Sequence, residues 1–425
     1  MQPYEKSIAS VTYFSCRLFG ATFPAGLARL AFGFVVLAIT SLFLPTRGLA
    51  QAQTRIVDLN NFQQQDLRAL SMGNAFSGAA RGEAALQYNP AGLAQYDMDF
   101  KLDASITLME EKGNFINDTL AVSSGSPTSQ DVLNYLKKYD GTTQTYVLQT
   151  FPSAVVNLGM YNFGLGAGNL DVQRYKLQFI STGVLTNDSL VVSEQRARIS
   201  LAGVGLKLFS GKAFLGLTAK NVRYSEQNAT LSFGQMIAGG KVDLTPSGTD
   251  YNSTSAYDLG FIYRMEVFPE FKPQWSVTAY NIGGYKLTGT SASGVSQTVQ
   301  VQDTYNVGFS IQPDVGFVHF LVTAEAEDVA GGIKVQDPNG VNQPRAQEQH
   351  FHGGIEAGVI KTPTGNNLFS LRAGSNRGYL TYGAELNLWG FLRAVYTNGT
   401  DNLGYKGNPT IFRFEAYQLA LGLAY

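Results

Sequence analysis

From about residue 100 onward the chain alternates apolar and polar side chains with a period of two, and no apolar run there approaches the ~20 residues that a spanning helix needs. In 257–267 the apolar Tyr257, Leu259, Phe261, Tyr263, Met265 and Val267 enclose Asp258, Gly260 and Arg264, with Ile262 the exception. In 200–208, Ala202, Val204, Leu206 and Leu208 share one face, opposite Gly203, Gly205 and Lys207. Residues 318–327 put Val318, Phe320, Val322 and Ala324 outward, with His319, Thr323, Glu325 and Glu327 inward. In 380–388, Leu380, Tyr382, Ala384, Leu386 and Leu388 oppose Thr381, Gly383, Glu385 and Asn387, and 417–425 repeats the pattern. A soluble sandwich would turn the apolar face to its core, whereas a membrane barrel turns it to lipid. The opposite face favours the barrel, because it carries Gly, Ala, Ser and Thr rather than a solvated row of Lys and Glu. Only 15% of residues are charged, against roughly 25% in soluble proteins, and Tyr257, Tyr417 and Tyr425 stand where interfacial girdles belong.

The expected fold class is therefore all-β, a transmembrane antiparallel β-barrel. Spread over 98–425, fourteen strands give about 23 residues each, loop included, which accommodates the ~10 that cross a membrane. The polar stretches 122–143 (with a short helix bearing Leu133 and Leu136), 238–256 and 331–349 read as long loops. Gly164, Gly166 and Gly168 lack the full dinucleotide-binding spacing and read as strand glycines that admit close packing.

The first 52 residues read as a secretory signal peptide. Lys6, Arg17 and Arg29 precede the apolar run LAFGFVVLAITSLFL at 30–44, and Ala50-Gln51-Ala52 forms an A-x-A cleavage site. The single cysteine, Cys16, lies inside this leader, so cleavage removes disulfides, thiolate-bound metals and Cys nucleophiles from consideration. The net charge of −1 argues against a nucleic-acid partner, which would require many phosphates to be neutralised.

Residues 53–97 break the alternation and read as a plug, followed by a barrel at 98–425. Within DLRALSMGNAFSGAARGEAALQYNPAGLAQY (66–96), Asn89 is a helix N-cap and Pro90 suits a first helical position. A preceding helix over 82–88 should end before the Asn89-Pro90 step, because proline disfavours helix in the residue before it. Small residues let such a segment pack inside a barrel.

The stretch RALSMGNAFSGAARGEAALQYNPAGLA resembles the N-terminal signature of the FadL-like outer-membrane transporters and their PorV-type relatives. AYDLGFIYR, SVTAYNIG and HGGIEAGV…FSLRAGSNRGYLTYGAEL are similar to strand repeats of the PorV-like branch. The terminal Tyr425 also resembles the C-terminal signal of bacterial outer-membrane proteins. The resemblance implies a fourteen-stranded barrel in Gram-negative outer-membrane lipid, plugged by its N-terminal segment, with Asn89, Pro90, Ala91 and Gly92 in the plug. It implies uptake of hydrophobic small molecules such as long-chain fatty acids or hydrocarbons, often through a lateral opening. For the PorV-type branch it implies a role with secretion-system proteins of the type IX kind. It leans towards a monomer, without enzymatic activity or cofactor. Residues 53–65 are polar for a segment that would line a fatty-acid site.

Alternation turns Lys207, Arg264, Glu325, Glu327, Glu356, Arg372 and Glu385 into the lumen, where they would line a channel or hold the plug. At mid-membrane the opposite face is closed to them, since an arginine there costs ~2–4 kcal/mol. On this phase, Arg264→Ala should leave the barrel folded but loosen the plug. The only histidines are His319, His350 and His352. His350 and His352 share a strand face that also carries Glu356, the one spacing with metal-binding potential, although lumenal histidines are commoner than metal sites. A Ser–His pair is permitted but not indicated. No catalytic, cofactor or metal site is expected.

Overall fold

The computed structural model describes residues 55–95, 100–111, 134, 138–139, 143–158, 162–180, 189–232, 247–291, 294–336, 341–361 and 367–424. The expected signal peptide lies outside the described residues, as does most of the helix expected in 122–143.

The chain enters with β1 (Arg55–Ile56), then α1 (Asn60–Gln63), α2 (Leu67–Ser71), α3 (Glu83–Tyr88) and a 3-10 helix at Pro90–Gln95. The wall follows as β2 (Phe100–Glu111), β3 (Thr143–Leu158), β4 (Phe163–Ile180), β5 (Ser189–Leu208), β6 (Ala213–Ser232), β7 (Ser247–Tyr251) and β8 (Thr254–Arg264). It continues with β9 (Gln274–Tyr280), β10 (Tyr285–Ser291), β11 (Ser296–Val301), β12 (Thr304–Ile311), β13 (Asp314–Val315) and β14 (Val318–Ala326). A small hairpin, β15 (Lys334–Gln336) with β16 (Asn342–Pro344), precedes β17 (Phe351–Lys361), β18 (Asn367–Asn376), β19 (Tyr379–Leu388), β20 (Leu392–Asn402) and β21 (Ile411–Ala424).

Strands β2, β3, β4, β5, β6, β8, β9, β12, β14, β17, β18, β19, β20 and β21 pair antiparallel in ring order. The ring closes where β21 pairs with β2, from Lys101 opposite Ala424 to Glu111 opposite Phe414. The result is a closed fourteen-stranded antiparallel barrel. Closure joins the first and last strands of this ring, so neither is left as a free edge, the condition for a sheet to cross hydrocarbon. Alternate side chains then face outward, as in β2, where Leu102, Ile106 and Leu108 are exposed while Asp103, Ser105 and Thr107 are buried. The same phase exposes Leu380, Tyr382 and Leu386 on β19 and Tyr417, Leu419, Leu421 and Leu423 on β21. No described helix is long and apolar enough to cross a membrane.

Three wall strands are broken. β7 gives way to β8 at 252–253, β9 to β10 at 281–284, and β11 to β12 at 302–303. Below the breaks β12 pairs with both β9 and β14; above them β11 pairs with β10 on one side and with the N-terminal β1 on the other, in parallel. The stretch 238–256, read from sequence as loop, is thus wall strand from Ser247 onward. The stretch 331–349 carries the β15–β16 hairpin and the start of a 3-10 turn at Gln347–His350. Their Gly, Asp and Asn content suits the turns and conceals the short strands.

Candidate functional site

The N-terminal segment is buried against inward-facing wall residues, and a row of glycines makes its seat. Gly164, Gly205, Gly216 and Gly260 are successive cross-strand partners on β4, β5, β6 and β8. A Cβ at Gly164 would lie 2.3 Å from the Leu93 carbonyl oxygen, at Gly216 2.1 Å from the Pro90 carbonyl carbon, and at Gly260 2.0 Å from Asn89 Oδ1. Only hydrogen allows backbone to approach wall this closely. Asn89 is extended (φ −157°, ψ 104°), ends α3, and accepts from the Ala91 N–H (3.1 Å) while donating to the Ser77 carbonyl (2.9 Å). Pro90 then opens the 3-10 helix, in which Ala91 and Gly92 are buried.

Charged pairs clamp the remainder. Arg68 on α2 grips Glu356 with two 2.8 Å hydrogen bonds, and Arg372 bridges Glu356 (2.6 Å) to Glu385 (2.7 Å). One oxygen of Glu325 accepts the Phe76 and Ser77 N–H groups at 3.0 and 2.9 Å, and the other accepts from Asn306. Glu327 meets Arg345 (3.2 Å), Arg377 (3.2 Å) and His352 (3.1 Å), while Arg345 also pairs with Asp58. Thus Glu356, Arg372 and Glu385 form one cluster, Glu325 holds plug backbone, and Glu327 belongs to a second cluster.

Arg264 stands apart, its guanidinium 4.7 Å from the Phe214 ring centre, where Phe214 packs with the plug residues Ala91 and Ala94. Lys207 is a correction. It is exposed at the short-turn end, beside Gly211, because alternation fixes which face a residue takes but not its depth. For Arg264→Ala we expect a folded barrel, a loss of about 0.5–2 kcal/mol from the cation–π contact, and faster protease cleavage within 58–95.

The metal geometry considered for His350 and His352 is not formed. His350 lies in the 3-10 turn before β17 and its Nδ1 contacts the Glu327 carbonyl; His352 spans the Gly73 carbonyl (2.8 Å) and the Glu327 carboxylate, and Glu356 is occupied by two arginines. Other clamp residues escaped the sequence reading. Buried Lys220 and Asp258 pair at 2.7 Å beside Gln63 and Asn281, and Glu83 pairs with Lys101 (2.6 Å) and Arg393 (3.5 Å). Asp258 carried a signal, since it stands between outward Tyr257 and Leu259.

Glu83 lies on α3, outside the spanning strands. Burial pushes its carboxyl up, but Lys101 and Arg393 outweigh this and hold it well below the usual carboxylate range, at about 2. A lowered carboxylate contributes its stabilisation in full above the unfolded value and loses it as pH falls towards the folded one. Limited proteolysis should therefore find the plug protected from neutral pH down to about 5, with protection falling progressively between about pH 4 and about pH 2. Glu83→Gln should remove this acid step.

Above the glycine seat the interior changes character. Met109, Phe151, Leu170, Val172, Ile199, Leu201, Val222, Tyr224 and Phe414 point inward and pack with Leu59, Phe62, Leu67 and Leu70 of the plug segment. Phe62 meets Tyr224 edge-on at 6.0 Å, and Arg174 stacks over Phe62 at 4.4 Å. This corrects two sequence readings. The lumenal face is apolar here rather than rich in small polar residues, and the polar-looking 53–65 delivers Leu59 and Phe62 into it. Here the alternation is intact but inverted, since Leu170 is flanked by outward Asn169 and Asp171, Ile199 by Arg198 and Ser200, and Val222 by Asn221 and Arg223, so a rule that turns apolar residues to lipid assigns the wrong face. A surface depression of about 610 Å³ lies on the lipid side, among Ile106, Leu108, Phe369, Leu386, Tyr417 and Leu419.

No family model matches the chain, and no curated protein matches it. Among solved structures, a deltaS2 mutant of the TodX monoaromatic hydrocarbon channel aligns over 86% of this chain and 99% of its own, at 13% identity and a TM-score of 0.50. The chain has the TodX fold. TodX and its structural neighbours are FadL-family hydrocarbon channels, one of the two groups that the N-P-A-G segment suggested. The toluene transporter TbuX of Ralstonia pickettii covers 86% of the chain and 99% of its own at 14% identity, with a TM-score of 0.48. A Pseudomonas aeruginosa FadL homologue covers 88% and 99% at 10% identity, with a TM-score of 0.47. Nothing in these comparisons extends to the PorV-type branch.

Proposed function

We propose that the protein is an outer-membrane channel for uptake of hydrophobic small molecules, fatty acids or hydrocarbons, held closed at rest by residues 58–95. The observation that carries this reading is the apolar upper lumen, formed by wall and plug together. A channel for hydrophilic solutes needs a polar, water-filled interior. A ligand burying roughly 200 Å² of apolar surface there would gain about 5 kcal/mol. Arg174 supplies a polar point beside the Phe62 ring for an anionic head group. The broken strands at 252–253, 281–284 and 302–303 offer a lateral exit, where β1 rather than β14 lies beside β11. A void of about 10 Å³ between Val57, Asp58, Val301, Gln302, Thr304, Ile333 and Lys334 marks that seam.

The structural likeness to TodX, a monoaromatic hydrocarbon channel, supports uptake of apolar compounds. The clamp residues Glu325, Glu327, Glu356, Arg372 and Glu385, with Asn89, Pro90, Ala91 and Gly92, act in this reading as the closing machinery of a monomeric barrel. The secretion-component reading rests on the sequence resemblance alone, and no feature of the site favours it.

The test is uptake of labelled oleate and labelled toluene into proteoliposomes. Leu170→Asp puts a single charge into this lumen and, measured on protein that keeps the heat-dependent gel shift of a folded barrel, should lower uptake of both compounds at least ~10-fold. Arg174→Gln should lower oleate uptake several-fold and leave toluene unchanged. Equal uptake by the aspartate variant would refute the apolar route.

A further inference from the structure

The long strands β4, β5 and β6 carry an outward-facing arginine pair where the lipid belt ends. Arg198 on β5 lies directly opposite Arg223 on β6, and both side chains are exposed. Arg198 lies ten residues along β5 from Leu208 at the short-turn end. At ~3.3 Å per residue and a tilt of ~40°, that is a height of about 25 Å, the thickness of the apolar band. The rows beneath confirm the boundary: Ala167, Ala202 and Ala219 align first, then Asn169, Ser200 and Asn221.

Like charges directly opposite on adjacent strands are destabilising unless something neutralises them. The neighbouring carboxylate is already committed, since Asp171 is held by Arg196 through contacts of 2.9 and 2.5 Å. Glu194, the next outward carboxylate, lies further up and interacts with Tyr175 and Arg196. Among the described residues, no ion pair is formed by Arg198 or Arg223. Two guanidinium forks side by side, at head-group depth and facing the membrane, match phosphate geometry.

We propose that Arg198 and Arg223 form a binding site for the phosphate of a phosphorylated glycolipid in the outer leaflet. The long connections of the barrel emerge at this end, and in this architecture long loops face outside. The site lies on the opposite face of the wall from the lumen, so it does not depend on what the channel carries.

Native mass spectrometry of the full-length mature protein, titrated with bisphosphorylated lipid A in mixed micelles, tests it. The wild type should retain the lipid, and Arg198→Gln with Arg223→Gln should weaken retention at least ~10-fold while the heat-dependent gel shift of the folded barrel is kept. Arg198→Lys with Arg223→Lys should fall between them, because charge remains but the fork is lost. Should the glutamine pair fail to fold, the lysine pair and single Arg223→Gln decide the matter by the same titration. Undiminished retention by the variants would overturn the proposal, as would retention of lipid A stripped of its phosphates. Displacement of the lipid by millimolar inorganic phosphate would also overturn it, assigning the pair to free anions instead.

Discussion

Gly216→Val is expected to drive residues 89–94 off the wall while leaving the barrel intact. A Cβ at Gly216 would lie 2.1 Å from the Pro90 carbonyl carbon and 2.2 Å from the Ala91 nitrogen, and backbone atoms cannot swing aside as a side-chain tip can. Overpacking a tight interior ordinarily costs about 1–3 kcal/mol, and here the obstacle is the plug backbone. Relief comes from displacement of the segment, which also loses the Asn89 hydrogen bond to the Ser77 carbonyl. The readouts are protease cleavage within 58–95 and an increase in single-channel conductance. Gly353→Ala is the control, because its nearest neighbour is the Thr323 carbonyl oxygen at 3.7 Å, an ordinary contact. A Gly216→Val protein with a protected plug and unchanged conductance would show that the glycine row does not seat the segment.

Arg372→Ala should be among the most destabilising single changes in the wall. The guanidinium is buried between Glu356 and Glu385, and Glu356 keeps Arg68 when it is lost. Glu385 keeps no direct ion pair among the described residues, so a carboxylate is left uncompensated in a dry interior. Breaking a buried pair in this way costs about 3–5 kcal/mol, more than the intact pair contributes. Adding Glu385→Gln to Arg372→Ala should therefore recover roughly half or more of that loss. Arg68→Ala should behave differently, releasing α2 from the wall while Arg372 continues to satisfy Glu356. Denaturant unfolding of the three variants, with proteolysis to follow the plug, separates these outcomes. Equal stability of Arg372→Ala and wild type would place the cluster in contact with water.

The fold was legible because an exposed apolar face is intolerable in water and required in lipid. Leu380, Tyr382 and Leu386 announced this at one residue in two. The break at Asn89-Pro90 was legible for a local reason, since proline constrains both itself and its predecessor. Loop and strand were confused at 247–256 because turn-forming residues and short broken strands share a composition. The apolar lumen above the plug was hidden because Leu170 and Ile199 have polar outward neighbours, Asn169, Asp171, Arg198 and Ser200, the reverse of the phase that lipid imposes lower on the wall.

By itself, the sequence determined the alternation, the strand number within narrow limits, the inward phase of Glu325, Glu356, Arg372 and Glu385, and the local geometry around Asn89. These follow from backbone periodicity and steric rules that act within a few residues. Only the tertiary structure decided that Gly164, Gly205, Gly216 and Gly260 stand in one row. It also decided that Arg68 reaches Glu356 across 288 positions of sequence, and that His352 serves the Gly73 carbonyl rather than a metal. Register between strands and the depth of each residue along the barrel arise from closure of the whole sheet, and no local pattern encodes them.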